Sequence, residues 1–275
     1  MSTRLTALLE RPEDSICLAE AALLVAEGQY PGLDIEDYLA RIEGFARELR
    51  ERLGDDAGYT ERLGALNQYL FQELGFAPDK DNYYDPRNSF LNDVLERRRG
   101  IPLSLSIVYI AVGRRLGLDL RGVSFPGHFL VKCPVDGGMV VLDPYHGGAS
   151  LSLEDLQQRL REVRGGEVSR AIVSEMLVSA APREVMVRML RNLKSIYLKA
   201  QQLTDALAVL EWLVPLAPGD HEEVRDRGVV YQELECFRAA LTDFERYIAL
   251  EPKAADAEAI RGRIVEMQKL AARLN

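Results

Sequence analysis

The 275-residue sequence has few cysteines, a deficit of basic residues and no long apolar segment. Its three cysteines, Cys17, Cys133 and Cys236, are odd in number and widely separated, which excludes a disulfide framework and a CxxC metal motif. Lys and Arg total 34 against 43 Asp and Glu, and the net charge of −9 argues against nucleic acid or an anionic membrane as the main partner. The apolar run at 21–26 is too short for a membrane span or a signal-peptide core, so we expect a soluble, cytoplasmic protein.

Apolar side chains recur at three- and four-residue steps through much of the first hundred residues, which predicts amphipathic helices. The clearest helix follows Asp34, a residue type that caps helices, and ends before Gly54, a residue type that stops them. Residues 103–116 differ, because apolar side chains surround the first ten residues of the helix and Pro102 suits its first turn. We therefore predict that this segment is the central, buried helix of its domain.

Three short segments after this helix, at 120–125, 128–133 and 139–143, are rich in β-branched and aromatic residues and predict strands. Asp136-Gly137, between the last two, is typical of a two-residue hairpin turn. Helices followed by a small antiparallel sheet predict an α+β domain over residues 1–181.

The hairpin brings two chemically active residues close together. Residues equidistant from the predicted turn face each other, so His128 faces Tyr145, and Asp143 is the next residue on the same face. The β-carbons of His128 and Asp143 are then about 7–8 Å apart or slightly less. Moving the turn by one residue keeps both on one face. An imidazole oriented by a carboxylate is the base half of a nucleophilic triad, and the same contact also occurs as a purely structural pair.

The C-terminal segment, residues 182–275, repeats itself at an interval of 34 residues. Six residues of the first copy recur in the second, as Tyr197, Ala206, Leu207, Glu211, Leu216 and Pro218 correspond to Tyr231, Ala240, Leu241, Glu245, Leu250 and Pro252. This interval is typical of tetratricopeptide helix pairs, in which small Ala residues let helices approach and Pro ends each unit. We predict about two repeats and a closing helix, an array of the kind that binds partner peptides on its concave surface.

Four motifs of the sequence resemble the bacterial SirB1 family: YDPRNSFLNDVL at 84–95, RRGIPLSLS at 98–106, GV followed by FPGHFL within 122–130, and LDPY at 142–145. That family is similar to the transglutaminase-like superfamily, in which a papain-like domain packs a central helix on an antiparallel sheet. The resemblance implies a catalytic Cys at the helix start, a His on one strand and an Asp on the next. His128 and Asp143 match the last two positions.

The chain departs from this pattern at the nucleophile. Cysteine is absent between Cys17 and Cys133, and strand alternation directs Cys133 away from His128. The alignment of Gly100-Ile101-Pro102 puts Pro102 where active relatives carry the nucleophilic Cys. A shift of one or two residues would instead select Ser104.

Ser104 therefore completes a candidate or vestigial catalytic triad with His128 and Asp143, provided that its hydroxyl points at the imidazole. The alternative, for Ser104 and for Ser106, is a hydroxyl that donates to a backbone carbonyl one turn earlier, or to a neighbour, within a buried helix. A third interpretation treats His128, Asp143 and His146 as metal ligands. Strand alternation directs His146 away from His128 unless Pro144 redirects the chain.

From these observations we expect a non-catalytic transglutaminase-like domain, residues 1–181, joined to a tetratricopeptide-like region, residues 182–275, that binds a protein or peptide partner. No cofactor and no metal are part of this expectation. The alternative is a Ser-dependent hydrolase or acyl transferase that cleaves amide or ester bonds with Ser104, His128 and Asp143.

Overall fold

The structure is a computed structural model that describes residues 3–54, 56–135 and 137–273. The chain divides into two units, one ending at Met186 and the other beginning at Val187. This division lies inside a helix, whereas the boundary predicted between residues 181 and 182 lies at the start of that helix.

The first unit contains eight complete α-helices among its described residues: α1 Thr3–Leu9, α2 Leu18–Glu27, α3 Ile35–Leu53, α4 Tyr59–Asn67, α5 Leu91–Arg97, α6 Pro102–Arg115, α7 Leu153–Arg164 and α8 Arg170–Met176. Helix α3 has the predicted limits, because the Asp34 side chain accepts a hydrogen bond from Asp37 N and Gly54 adopts a positive φ of 74°. Helix α4 continues as a π-helix over Gln68–Glu73. Helix α5 begins after Phe90, which has an extended backbone and makes no side-chain capping hydrogen bond.

Six strands form two sheets in the described part of this unit. Strands β1 Ala77–Pro78 and β2 Arg99–Gly100, which the sequence did not predict, form a short parallel pair. The other four form an antiparallel sheet in chain order: β3 Arg121–Val123, β4 Leu130–Val135, β5 Gly138–Asp143 and β6 Ala149–Leu151. The first three correspond to the predicted strands, and β6 is an addition.

Helix α6 is the central helix, as predicted. Every residue from Pro102 to Gly113 is buried, and the helix contacts α2, α3, α4 and α5 as well as strands β3 and β4. Side chains from α7 and α8, including Leu156, Leu160 and Val173, pack with Val123 and Leu130 of the sheet in a second apolar cluster. The α+β fold class predicted from the sequence is confirmed.

Helices are the only regular secondary structure among the described residues of the second unit. Helix α9 Pro182–Lys199 crosses into it and is followed by α10 Leu203–Leu216, α11 His221–Glu233, α12 Phe237–Leu250 and α13 Ala257–Arg273. Helices α10 and α12 begin and end 34 residues apart, as the repeat requires. Ala240 and Phe244 of α12 pack with Val224 of α11 and Ile260 of α13. Within the described residues, no helix combines the length and the hydropathy needed to cross a membrane.

Candidate functional site

The β4–β5 hairpin has the register that the sequence predicted. Val135 pairs with Gly138 and Val131 with Leu142, so residues equidistant from the turn face each other. Asp136, the first residue of the predicted turn, lies outside the described residues. Strand β5 ends at Asp143, and His128 lies two residues before β4, which places the two side chains in contact.

The contact is a hydrogen bond of 2.9 Å between His128 Nε2 and Asp143 Oδ1. The Asp143 side chain is fully buried and the His128 side chain is 14% exposed. The Tyr145 ring meets the His128 ring edge to face, with centroids 5.7 Å apart. The structure therefore brings together the two residues that the hairpin spacing selected.

His146 also joins this pair, although strand alternation directs it away. Strand β5 stops at Asp143, and Pro144–His146 forms a 3₁₀ turn instead of a further stretch of strand. Gly147 and Gly148 follow with positive φ angles of 70° and 75°. The turn brings His146 Nδ1 to 2.8 Å from Asp143 Oδ2, so the condition for redirection at Pro144 is met.

Four donors surround the Asp143 carboxylate. Asp143 Oδ1 accepts from His128 Nε2 and, at 3.1 Å, from Tyr145 N. Asp143 Oδ2 accepts from His146 Nδ1 and also lies 2.8 Å from Arg159 Nη1 of α7. Burial by itself raises the pKa of Asp143, but hydrogen bonds and positive charge from His128 and then His146 outweigh it and hold that pKa well below its usual range. Asp143 is therefore ionised at neutral pH and both imidazoles donate to it.

The 3₁₀ turn is fixed by residues that the sequence analysis did not select. Gly148 N donates to Asp143 O, and Asn67 Nδ2 donates to Gly148 O at 3.1 Å. Tyr109 of α6 in turn donates to Asn67 Oδ1 at 2.7 Å. A side chain at Gly148 would collide with Asn67, so this position requires glycine. The pair Gly147-Gly148 is therefore a feature of the sequence that could have indicated the turn. Asn67, Tyr109 and Arg159 carry no comparable signal, because each lies within an ordinary helical pattern.

Ser104 does not join His128 and Asp143 through a hydrogen bond. Its hydroxyl lies 2.6 Å from Asn88 O and 3.3 Å from Ile101 O, and it accepts from Ile101 N at 3.1 Å. The side chain is 2% exposed. The shorter contact is therefore to a carbonyl of the preceding loop, and the carbonyl one turn earlier in the chain, Ile101 O, is the more distant of the two.

The residue whose carbonyl accepts from Ser104, Asn88, belongs to a part-buried polar network. Arg97 donates to Asn88 Oδ1 and to Asp79 Oδ2, both at 3.1 Å, and Asn88 Nδ2 donates to Asn82 O at 2.7 Å. Asp79 Oδ1 accepts from Asn82 N. Ser104 thus ties the loop that carries the YDPRN motif to the start of α6.

The start of α6 carries no thiol. Pro102 is the first residue of the helix and is buried, and α6 lies next to the turn Pro144–His146. Cys133 is buried, and its sulfur interacts with the Tyr59 hydroxyl and with Asp119 O. Cys17 precedes α2. Neither sulfur is hydrogen-bonded to His128 among the described contacts.

The arrangement supports two kinds of chemistry. A carboxylate-oriented imidazole can move a proton, and it needs a nucleophile or a water molecule to act on. His128, Asp143 and His146 also offer one donor atom each within 4.8 Å of one another, which is a set that can hold a metal ion.

Comparisons with known proteins agree with this architecture. A family model described as "Transglutaminase-like superfamily" matches residues 36–191, and a "Tetratricopeptide repeat" model matches residues 193–264. A solved structure of menin aligns with a TM-score of 0.39 at 12% identity, covering 95% of this chain and 72% of that chain, and a likeness this distant carries no argument.

Curated bacterial relatives match over nearly the whole chain. A "UPF0162 protein" of Xylella fastidiosa is 40% identical over 93% of this chain and 91% of its own length. "UPF0162 protein PA3419" of Pseudomonas aeruginosa is 33% identical over 91% and 90% of the two chains, and "Protein SirB1" of Salmonella typhimurium is 31% identical over 86% of each. The chain therefore belongs to the SirB1 family, with a transglutaminase-like region followed by tetratricopeptide repeats.

Proposed function

We propose that this protein is a non-catalytic member of the transglutaminase-like superfamily that binds a protein or peptide partner through its tetratricopeptide repeats. One observation carries the first part: the Ser104 hydroxyl donates to a backbone carbonyl and accepts from Ile101 N, within a buried helix start headed by Pro102. Among the described contacts this hydroxyl makes no hydrogen bond to an imidazole, and that supports a role other than that of an activated nucleophile.

The alternative function is a Ser-dependent hydrolase or acyl transferase with Ser104, His128 and Asp143 as its triad. It is favoured by the hydrogen bond between His128 and a buried, ionised Asp143, which orients an imidazole as triads require. It requires the Ser104 side chain to leave its three present partners, Asn88 O, Ile101 O and Ile101 N.

Hydrolysis of an activated ester by the full-length chain distinguishes the two functions. We expect the wild type, Ser104→Ala and His128→Ala to share one rate, equal to that of an unrelated protein at the same concentration. A wild-type rate well above this background that falls in both variants would establish the alternative.

A complementary experiment restores a thiol at the helix start. In Pro102→Cys the new side chain lies at the N-terminus of α6, where the helix dipole favours the thiolate. We expect this Cys to react with iodoacetamide faster than Cys17 or Cys236 of the same chain, and to slow down when His128→Ala is added. Equal rates with and without His128 would show that the histidine does not face this position.

Partner binding is tested in cells by site-specific photo-crosslinking of the full chain. Glu233, exposed on α11, is replaced by a photoreactive residue, and Glu51, exposed on α3 of the first unit, serves as the matched control. Repeat arrays bind along their stacked helices, so we expect a crosslinked partner from position 233 and none from position 51. Crosslinks from position 51 alone would place partner binding on the first unit.

A further inference from the structure

We propose that His128, Asp143 and His146 form a binding site for a divalent transition-metal ion of the zinc class. This assignment goes beyond the proposed function, because it requires neither catalysis nor a protein partner. Two imidazole nitrogens and a carboxylate are ligands that zinc, cobalt, nickel and copper ions share.

The local fold gathers these ligands where regular strand geometry would separate them. Asp143 and His146 lie three residues apart, and only the 3₁₀ turn that begins at Pro144 directs both side chains to the same point. The hydrogen bonds from Asn67 to Gly148 O and from Gly148 N to Asp143 O close this turn. The turn is supported independently of the imidazoles, so the ligands keep their places when an ion replaces their hydrogen bonds.

The distances among the donor atoms suit a tetrahedral ion. His128 Nε2 lies 2.9 Å from Asp143 Oδ1, and His146 Nδ1 lies 2.8 Å from Asp143 Oδ2. The three donor atoms lie within 4.8 Å of one another. Neighbouring ligands around zinc, with bonds of about 2.0–2.2 Å, are about 3.3 Å apart, so side-chain rotations that bring the wider separations toward this value admit the ion. Because a metal ion binds an imidazole nitrogen that carries no proton, the ion takes the place of the hydrogen-bonded proton on each coordinating nitrogen.

The charges around Asp143 favour some divalent ions over others. Arg159 Nη1 lies 2.8 Å from Asp143 Oδ2, so the single carboxylate of the site is already balanced by a guanidinium. Magnesium and calcium depend on several oxygen ligands and gain little from imidazole. Ions with a strong affinity for imidazole are therefore favoured, with Arg159 and Tyr145 N holding the carboxylate in place.

The site is open on one side. The His146 side chain is 51% exposed, whereas the Asp143 side chain is fully buried. Solvent thus reaches the ion from the His146 side, and water completes its coordination.

The sequence supplies its own control, because it contains three histidines and the third, His221, lies on α11 with its ring against Tyr247. The tag-free full chain is dialysed against a chelator and titrated with Zn²⁺ in a calorimeter. We expect the wild type and His221→Ala to bind one Zn²⁺ ion per chain. In His128→Ala and in His146→Gln the affinity for Zn²⁺ should fall at least tenfold. Mg²⁺ should not bind. His146→Gln removes a half-exposed ligand, so it tests the site without disturbing the core.

Titration with Co²⁺ identifies the ligands. We expect visible d–d absorption typical of four-coordinate cobalt, without the thiolate charge-transfer band that Cys17 or Cys236 would produce. The proposal is overturned if the wild type binds no Zn²⁺ at micromolar protein concentration. It is equally overturned if binding survives both His128→Ala and His146→Gln, or if the thiolate band appears.

Discussion

At the scale of single residues, polar side chains near the start of α6 differ in whether their hydrogen bonds are satisfied. Ser104 and Ser106 are both buried in the same helix, yet Ser104 Oγ has backbone partners on two sides and Ser106 Oγ makes no hydrogen bond to any described residue. A satisfied buried hydroxyl stabilises the fold, and an unsatisfied one costs free energy.

Replacement of each serine by alanine turns this contrast into a measurement. We expect Ser104→Ala to lower the free energy of unfolding by about 1–3 kcal/mol, because Ile101 N loses its acceptor and Asn88 O its donor. Ser106→Ala removes an unpaired polar atom and is expected to be neutral or stabilising. Urea unfolding of both variants beside the wild type checks this. Equal destabilisation by the two substitutions would contradict the assigned role of Ser104.

The sequence predicted part of the site at this scale and missed the rest for a physical reason. His128 and Asp143 could be paired because they lie on either side of a two-residue turn, whose register follows from counting. His146 depends on where β5 ends, and Arg159 approaches from α7 at a distance in sequence that no short-range pattern encodes. Local periodicity describes strands and helices, and it does not describe how one element reaches another.

At the scale of elements, the two helix pairs repeat their backbone as well as their side chains. Gln201 and Glu235, 34 residues apart, both adopt the left-handed region, with φ of 57° and 58°, just before α10 and α12 begin. Glycine is the residue type that usually indicates this conformation, and because neither position is a glycine, these two turns could not be predicted from residue type. The six repeated residues nevertheless identified the helix pairs, because packing between helices constrains side-chain size at fixed positions.

Close packing of α11 against α12 leaves little space for a side chain at Gly228 of α11. A Cβ atom there would lie 2.8 Å from the ring of Phe244 and 3.2 Å from Asp243 Cβ, whereas a Cβ atom at Gly262 of α13 would meet nothing within 4 Å. Both glycines are helical, so alanine gains about 1 kcal/mol of helix propensity at either position.

We expect Gly262→Ala to raise the free energy of unfolding by about 0.5–1 kcal/mol and Gly228→Ala to lower it by about 1–2 kcal/mol, because overpacking exceeds the gain in propensity. Thermal and urea unfolding measure both changes. The smaller side chain in Phe244→Leu should recover part of the loss in Gly228→Ala. A stabilising Gly228→Ala would show that α11 and α12 are less tightly packed than the structure describes.

At the scale of the whole molecule, an acidic chain buries several of its acidic groups beside bases. Glu223 is 2% exposed and accepts from Arg191 Nε at 2.8 Å and from Lys194 Nζ at 2.7 Å. Asp226 also lies 2.7 Å from Lys194 Nζ. The residue counts give a net charge of −9. They do not show that carboxylates of the second unit lie within an ion-pair network, because that depends on the fold.

Burial by itself lowers the pKa of Lys194, but hydrogen bonds with Asp226 and Glu223 outweigh it and raise that pKa above its ordinary value of 10.5. Because the folded-state pKa is the higher one, the stabilisation by Lys194 is fully present below the unfolded-state pKa and is lost as pH rises through the folded-state value.

Comparison of the wild type with Lys194→Met isolates this contribution from the other groups that titrate at high pH. At about pH 7 to 9 we expect the free energy of unfolding of the variant to be about 1.5–3 kcal/mol lower than that of the wild type. The reason is that Glu223 and Asp226 lose a charged donor, while methionine keeps the apolar part of the side chain. The difference should shrink at about pH 11 and above, where the lysine of the folded wild type also loses its proton. A difference that stays constant to that pH would mean that the stem, and not the ammonium group, supplies the stabilisation.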